Sequence, residues 1–116
     1  MPDPSRASTQ NLNSSFLEYR LKFTLLTFYL RIMHYVYVLQ SKVDSDLYIG
    51  CTNDLKKRLE MHNAKKILST AKRAPFDIIY YEALIDSHDT FEREKFFKTG
   101  WGRTSLRKIL RNFLNR

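Results

Sequence analysis

The chain has 116 residues, 43% hydrophobic and 14% aromatic, enough for one small core and too few for two ordinary domains. A formal charge of +8 points to a polyanionic partner, nucleic acid ahead of an acidic membrane surface. The single cysteine, Cys51, excludes an intramolecular disulfide framework and a four-thiolate zinc site, and fits a reducing cytoplasm.

Residues 1–15 (MPDPSRASTQNLNSS) are polar, rich in Ser and Asn and without periodicity, and read as disordered. Residues 16–32 are apolar but interrupted by Glu18, Arg20, Lys22 and Arg31. Their longest uncharged run, Phe23 to Leu30, is far short of the roughly 20 residues a membrane span needs. No small-residue cleavage site follows, so a secretory signal is not expected. The segment reads either as an amphipathic surface helix or as non-native upstream sequence, with Met33 as the natural start or the extension dispensable. The expected division is therefore an N-terminal extension over 1–33, partly disordered or non-native, and one domain over 34–116.

From His34 the pattern sharpens. "YVYVLQ" (35–40) and "DLYIG" (46–50) are β-branched and aromatic runs separated by SKVDS, which predicts an antiparallel hairpin. Thr52 or Asn53 can cap a helix with the apolar stripe Leu55 and Leu59. Residues 64–75 (AKKILSTAKRAP) form a basic loop, and "DIIYYEAL" (77–84) a third strand buried on both faces. Asp89 and Glu92 resemble a capping box opening a second helix that Gly100 closes. A third helix starts at about Ser105, with Leu106, Ile109, Leu110 and Phe113 on one face. The fold expected is α/β of the α+β kind: a small three-stranded antiparallel sheet flanked by helices, in the order β-β-α-β-α-α.

Leu55, Arg58, Leu59 and His62 fall within one arc of about 100°. Arg58 and His62 border the buried stripe, where their heads can be held in fixed positions. The plainer alternative is a surface arginine plus a hydrogen-bonded, partly buried histidine. On the second helix Glu94 shares an arc of about 120° with Phe91, Phe97 and Trp101, and Glu92 lies outside it. A carboxylate among rings is costly to desolvate unless an ion pair or a divalent cation compensates it; both compensations stay open. Tyr35, Tyr37, Tyr48, Tyr80 and Tyr81 fall on predicted strands, where most tyrosines are core or rim residues. An ordinary phenol, with a pKa of about 10, serves as a base only if cations or a neighbouring base favour phenolate. Charge is uneven: Lys56 to Arg73 holds seven Lys/Arg against Glu60 alone, and Lys98 to the end holds six with no acid. Lys56, Lys57, Lys65, Lys66, Lys72 and Arg73 are the candidate phosphate contacts.

"YVY" (35–37), "YIG" (48–50), Arg58 ten residues after Tyr48, His62 four later and "EREKFFKTGW" (92–101) together resemble the GIY-YIG nuclease family. That family includes the nuclease subunit of bacterial nucleotide-excision repair and short stand-alone bacterial proteins, and the likeness runs from about Tyr35 to Trp101. The resemblance implies a metal-dependent endonuclease hydrolysing phosphodiester bonds in DNA, with low sequence specificity and scope for structure selectivity. By the same resemblance Tyr37 and Tyr48 are the signature tyrosines, one of which helps deprotonate the attacking water. Arg58 would stabilise phosphoryl charge, His62 would assist proton transfer or hold the phosphate, and Glu94 would bind one Mg²⁺ or Mn²⁺. On this reading the strand ends at Gly50 so that the helix start can approach closely. The alternatives are a catalytically weak nucleic-acid-binding module and an RNA-directed nuclease.

Overall fold

Val36 and Val38 point to one face of a strand and Tyr37 and Leu39 to the other, and all four are buried. A strand with two dry faces has to lie between two packed layers. β1 (His34–Ser41) accordingly takes the middle of a three-stranded sheet, with antiparallel β2 (Leu47–Thr52) and β3 (Phe76–Leu84) on either side. Tyr37 stands opposite Gly50 in β2 and Tyr81 in β3. The strand buried on both faces is thus β1, not the third strand. As an edge strand, β3 keeps Asp77, Tyr81 and Ala83 exposed.

The computed structural model describes residues 4–116, with side chains from Ser14 onward. The chain divides into two compact units, residues 1–32 and Met33–Arg116. The first is the helix α1 (Pro4–Ile32). Its backbone is helical from Pro4, where the sequence suggests disorder as far as Ser15. No glycine or proline follows Pro4 within the helix, so a helix nucleated in the apolar half extends toward the N-terminus at little cost per residue. The apolar side chains from Phe16 to Ile32 fall nearly all round this helix, apart from a narrow strip of Arg20, Thr24, Thr27 and Arg31, so it is not amphipathic in the usual sense. Thr24 and Thr27 donate their hydroxyls to the carbonyls one turn earlier, which hides that polarity. Among the described residues no helix is long and apolar enough to cross a membrane.

In the second unit, α2 (Leu55–Asn63) packs Leu55 and Leu59 on the Tyr37 face of the sheet, with Phe76 and Ala74. Its cap is Asp54, whose side chain accepts from Lys57 N at 3.0 Å. Neither expected cap serves, Asn53 lying one residue and Thr52 two residues before Asp54; the Thr52 hydroxyl instead accepts from Asp54 N. The opposite face receives α3 (Ser87–Phe97) and α4 (Gly100–Ile109), with Phe97, Leu106 and Leu110 against Val36, Val38 and Ile49. Each fully buried large side chain here contributes about 1.5–3 kcal/mol. A short α5 (Arg111–Leu114) follows.

Other helix boundaries differ from the sequence reading too, and the third helix, expected from about Ser105 with Phe113 on its face, runs from Gly100 to Ile109, with Phe113 on the separate α5. Asp86, not Asp89, caps α3, accepting from His88 N and Asp89 N at 2.8 and 2.9 Å. Gly100 is the first residue of α4 rather than the stop of α3, because the Thr99 hydroxyl caps α4 by accepting from Gly102 N. Arg93 on α3 donates from Nε and Nη2 to the two carboxylate oxygens of Glu82 on β3, at 2.8 and 3.0 Å, and holds the Glu82 carboxyl below its usual range. The basic loop between α2 and β3 is fastened at its ends. Asn63 accepts from Phe76 N at 2.7 Å and donates to Phe76 O at 3.1 Å, and the Ser41 hydroxyl donates to Arg73 O at 2.6 Å.

Candidate active site

Five residues on three elements and a loop gather around one phenol oxygen, and two of them bond to it directly. Tyr37 projects from β1 and is buried. Arg58 and His62, one turn apart on α2, both reach it: Arg58 Nε donates to Tyr37 Oη at 3.3 Å, and His62 Nε2 lies 3.0 Å from the same oxygen. His62 Nδ1 lies 2.7 Å from the Thr70 hydroxyl, which in turn donates to Ile67 O at 3.4 Å. Only one proton assignment satisfies every group. Arg58 N–H donates to Tyr37 Oη, Tyr37 O–H donates to Nε2, Nδ1–H donates to Thr70 Oγ1, and Thr70 O–H donates to the carbonyl. Tyr48 completes the cluster, its ring centroid 5.1 Å from that of His62 and 6.4 Å from that of Tyr37, near enough to Arg58 to act on it electrostatically.

Burial sets the protonation states. His62 has no exposed surface, and burial, with Arg58 adding to it, pulls its pKa down to about 4, so the ring is neutral at pH 7. Burial pushes the Tyr37 phenol up, and the Arg58 hydrogen bond offsets only part of that rise. Tyr37 is therefore a protonated phenol whose hydrogen already lies on a neutral acceptor.

The role of Gly50 differs from the sequence reading. β2 continues through Gly50 to Thr52, and a Cβ at Gly50 would collide with the hydroxyl and ring of Tyr37. The glycine makes room for the phenol to lie across β2, not for the helix to approach.

Glu94 is near enough to Tyr37 and to Cys51 to act on both electrostatically, while the Cys51 thiol itself donates to Thr90 O at 3.5 Å. Burial foremost, then the Glu94 carboxylate, pushes the Cys51 thiol up to about 12, so it is not a thiolate. The expected nest of three rings around Glu94 does not form. Phe97 is buried, but Phe91 is 50% exposed, and Trp101 is 84% exposed because the helix breaks between Phe97 and Gly100 and places it on the next helix. The compensation present is an ion pair: Lys98 Nζ donates to Glu94 Oε1 at 2.6 Å. Glu92 lies apart, exposed, beside His88 and Lys95. Among the described residues no three of His, Cys, Asp and Glu gather as a metal cluster. A lone carboxylate still fits Mg²⁺, which is commonly bound through one or two carboxylates plus water and substrate phosphate.

Lys56 and Lys57 are exposed on α2, and Lys65, Lys66 and Lys72 are exposed on the basic loop. Arg73 is half-buried, paired with Asp44 at 3.0 Å, and its Nη2 is buried without a hydrogen-bond partner among the described residues. Sequence reasoning missed Thr70 and Lys98. Thr70 sits in an aperiodic loop that gives no facing signal, whereas Lys98 four residues after Glu94 is an ion-pair spacing open to recognition.

Residues 33–106 match the GIY-YIG catalytic domain. The chain is similar to a UPF0213 protein of Bacillus pumilus, 42% identical over 71 residues, 60% of this chain and 70% of the relative. It is likewise similar to a UPF0213 protein of Streptococcus pyogenes serotype M3, 45% identical over 65 residues, 55% of this chain and 70% of the relative. A UPF0213 protein of Pediococcus acidilactici is 36% identical over 81 residues, 67% of this chain and 82% of the relative. No solved structure matches the chain.

Proposed function

Since the chain belongs to the GIY-YIG nuclease family, we propose that it is a divalent-metal-dependent endonuclease that hydrolyses phosphodiester bonds in DNA with little sequence preference. One observation carries this reading: a single phenol oxygen, Tyr37 Oη, is held between the cationic donor Arg58 and the neutral acceptor His62. A structural tyrosine needs one partner, not a charged donor and a dry imidazole. In the reaction, water attacks phosphorus as it loses a proton to Tyr37 Oη, while the phenol's own proton passes to His62 Nε2. The P–O bond to the leaving oxygen breaks, and that oxygen is protonated from solvent. With a pKa of about 4, His62 cannot keep the proton, so it returns through Tyr37 to water. Arg58 faces the charge that develops on the phosphoryl oxygens. Glu94 is the residue that would hold Mg²⁺ or Mn²⁺, which when bound would supply Lewis acidity at the phosphate. The exposed lysines of α2 and the basic loop are the proposed backbone contacts, which position a duplex without reading bases.

A second reading, a nucleic-acid-binding module with weak catalysis, is favoured by the Lys98 ammonium already on Glu94. A cleavage assay with Mg²⁺ over single-stranded, duplex, flapped, junction and RNA substrates separates the two. The expected result is cleavage by the wild type, about 10²–10⁴-fold slower with Tyr37→Phe, and none with Glu94→Ala, which still binds DNA. Cleavage retained in Glu94→Ala but lost in Glu92→Ala would identify a different acid. No cleavage by the wild type with intact binding would favour the module.

A further inference from the structure

We propose that the groove between β2 and α4 carries the sugar-phosphate backbone beside the cleaved bond, with Arg103 and Arg107 as its phosphate contacts. This rests on the nucleic-acid reading above and adds a binding surface outside the basic loop.

β2 is an edge strand, and a cavity of about 620 Å³ lies along it. Leu47 and Ile49, which pack toward α3 and α4, and Tyr48, which packs toward α2, all line it; only an open strand edge can present both faces to one groove. Tyr48 also belongs to the candidate active site, so the groove and the site share a wall.

The charge of this groove is one-sided. Arg73, Lys98, Arg103 and Arg107 line it against Asp46 alone. Arg73 and Lys98 already hold Asp44 and Glu94. Arg103 and Arg107 are exposed, and among the described residues neither has a carboxylate within ion-pair distance. They stand four residues apart on α4, about 6 Å along the helix axis, a separation similar to that of neighbouring phosphates on one strand. Leu106 and Leu114 give the same groove apolar wall, which suits sugars better than a free inorganic anion. The volume lies within the range of roughly 300–1,000 Å³ typical of small-ligand sites, so it admits a nucleotide-sized part of a strand rather than a whole duplex.

Lys108 sits on the same helix but does not line the groove, which allows a test at constant charge loss. Arg103→Gln, Arg107→Gln and Lys108→Gln each remove one positive charge from an exposed position. Binding of a fluorescent DNA oligonucleotide is measured by anisotropy in EDTA over a range of salt, with thermal unfolding as the check on folding. The slope of log affinity against log salt should fall by about one for Arg103→Gln and for Arg107→Gln and stay unchanged for Lys108→Gln. Equal falls in all three would show a net-charge effect and overturn the groove assignment, as would unchanged slopes in all three while a Lys65→Gln, Lys66→Gln variant weakens. Wild-type protein that binds no oligonucleotide would overturn the nucleic-acid reading itself.

Discussion

His62 concentrates the chemistry of the site in one ring, and its protonation has a measurable signature. Its pKa of about 4 in the folded chain lies below its ordinary value of 6.5, so the unfolded chain takes up the proton first as pH falls. Stability from this residue is whole above pH 6.5, falls between 6.5 and 4, and levels off below 4, losing on the order of 3 kcal/mol in all. Denaturant unfolding of the wild type and His62→Gln at stepped pH should show a steeper decline for the wild type across that window. Parallel curves would mean that the ring is not held neutral. The residue pair Arg58 and His62 is legible in the sequence, because four-residue spacing on a helix puts two side chains on one face and the strand tyrosines supply a target. The acceptor beyond His62 is not legible. Thr70 lies in a loop, where no period says which side chain turns inward, and only the folded loop brings its hydroxyl to Nδ1.

At the level of elements, the β-branched and aromatic runs of β1, β2 and β3 and the apolar stripes of the helices suffice to read three strands and the helix order. The break between α3 and α4 is hidden because Thr99-Gly100 satisfies two opposite rules, a glycine stop and a threonine cap, and only packing decides between them. Gly102 is what packing decides on. Its Cα lies so close to the chain of α3 that an added Cβ would collide with the carbonyl of Phe96. Gly102→Ala should gain about 0.8–1 kcal/mol in helix propensity yet lose more, about 1–3 kcal/mol, to crowding against backbone that cannot yield. A lower midpoint in thermal unfolding is the expected net result. An unchanged or higher midpoint would mean that α4 slides away without penalty, carrying Arg103 and Arg107 with it.

For the whole molecule, the separation into residues 1–32 and Met33–Arg116 leads to a truncation experiment. Every strand, and every residue bonded in the Tyr37 cluster, belongs to the second unit. A chain beginning at Met33 should unfold cooperatively near the midpoint of the full chain and cleave at a comparable rate, while solubility or self-association changes. Loss of cooperative unfolding would make α1 part of the core. The fastening of the basic loop has a further effect on energetics. Asn63 grips Phe76 through the oxygen and the nitrogen of its side-chain amide, and Ser41 holds Arg73, so the twelve residues 64–75 are closed at their ends before any partner arrives. A flexible loop would forfeit about 1–2 kcal/mol of backbone entropy for each residue stilled on contact. Here that entropy is spent during folding, and a polyanion laid over Lys65, Lys66 and Lys72 restricts mainly their side chains. The surface is pre-organised, and more of the Coulomb attraction remains as affinity.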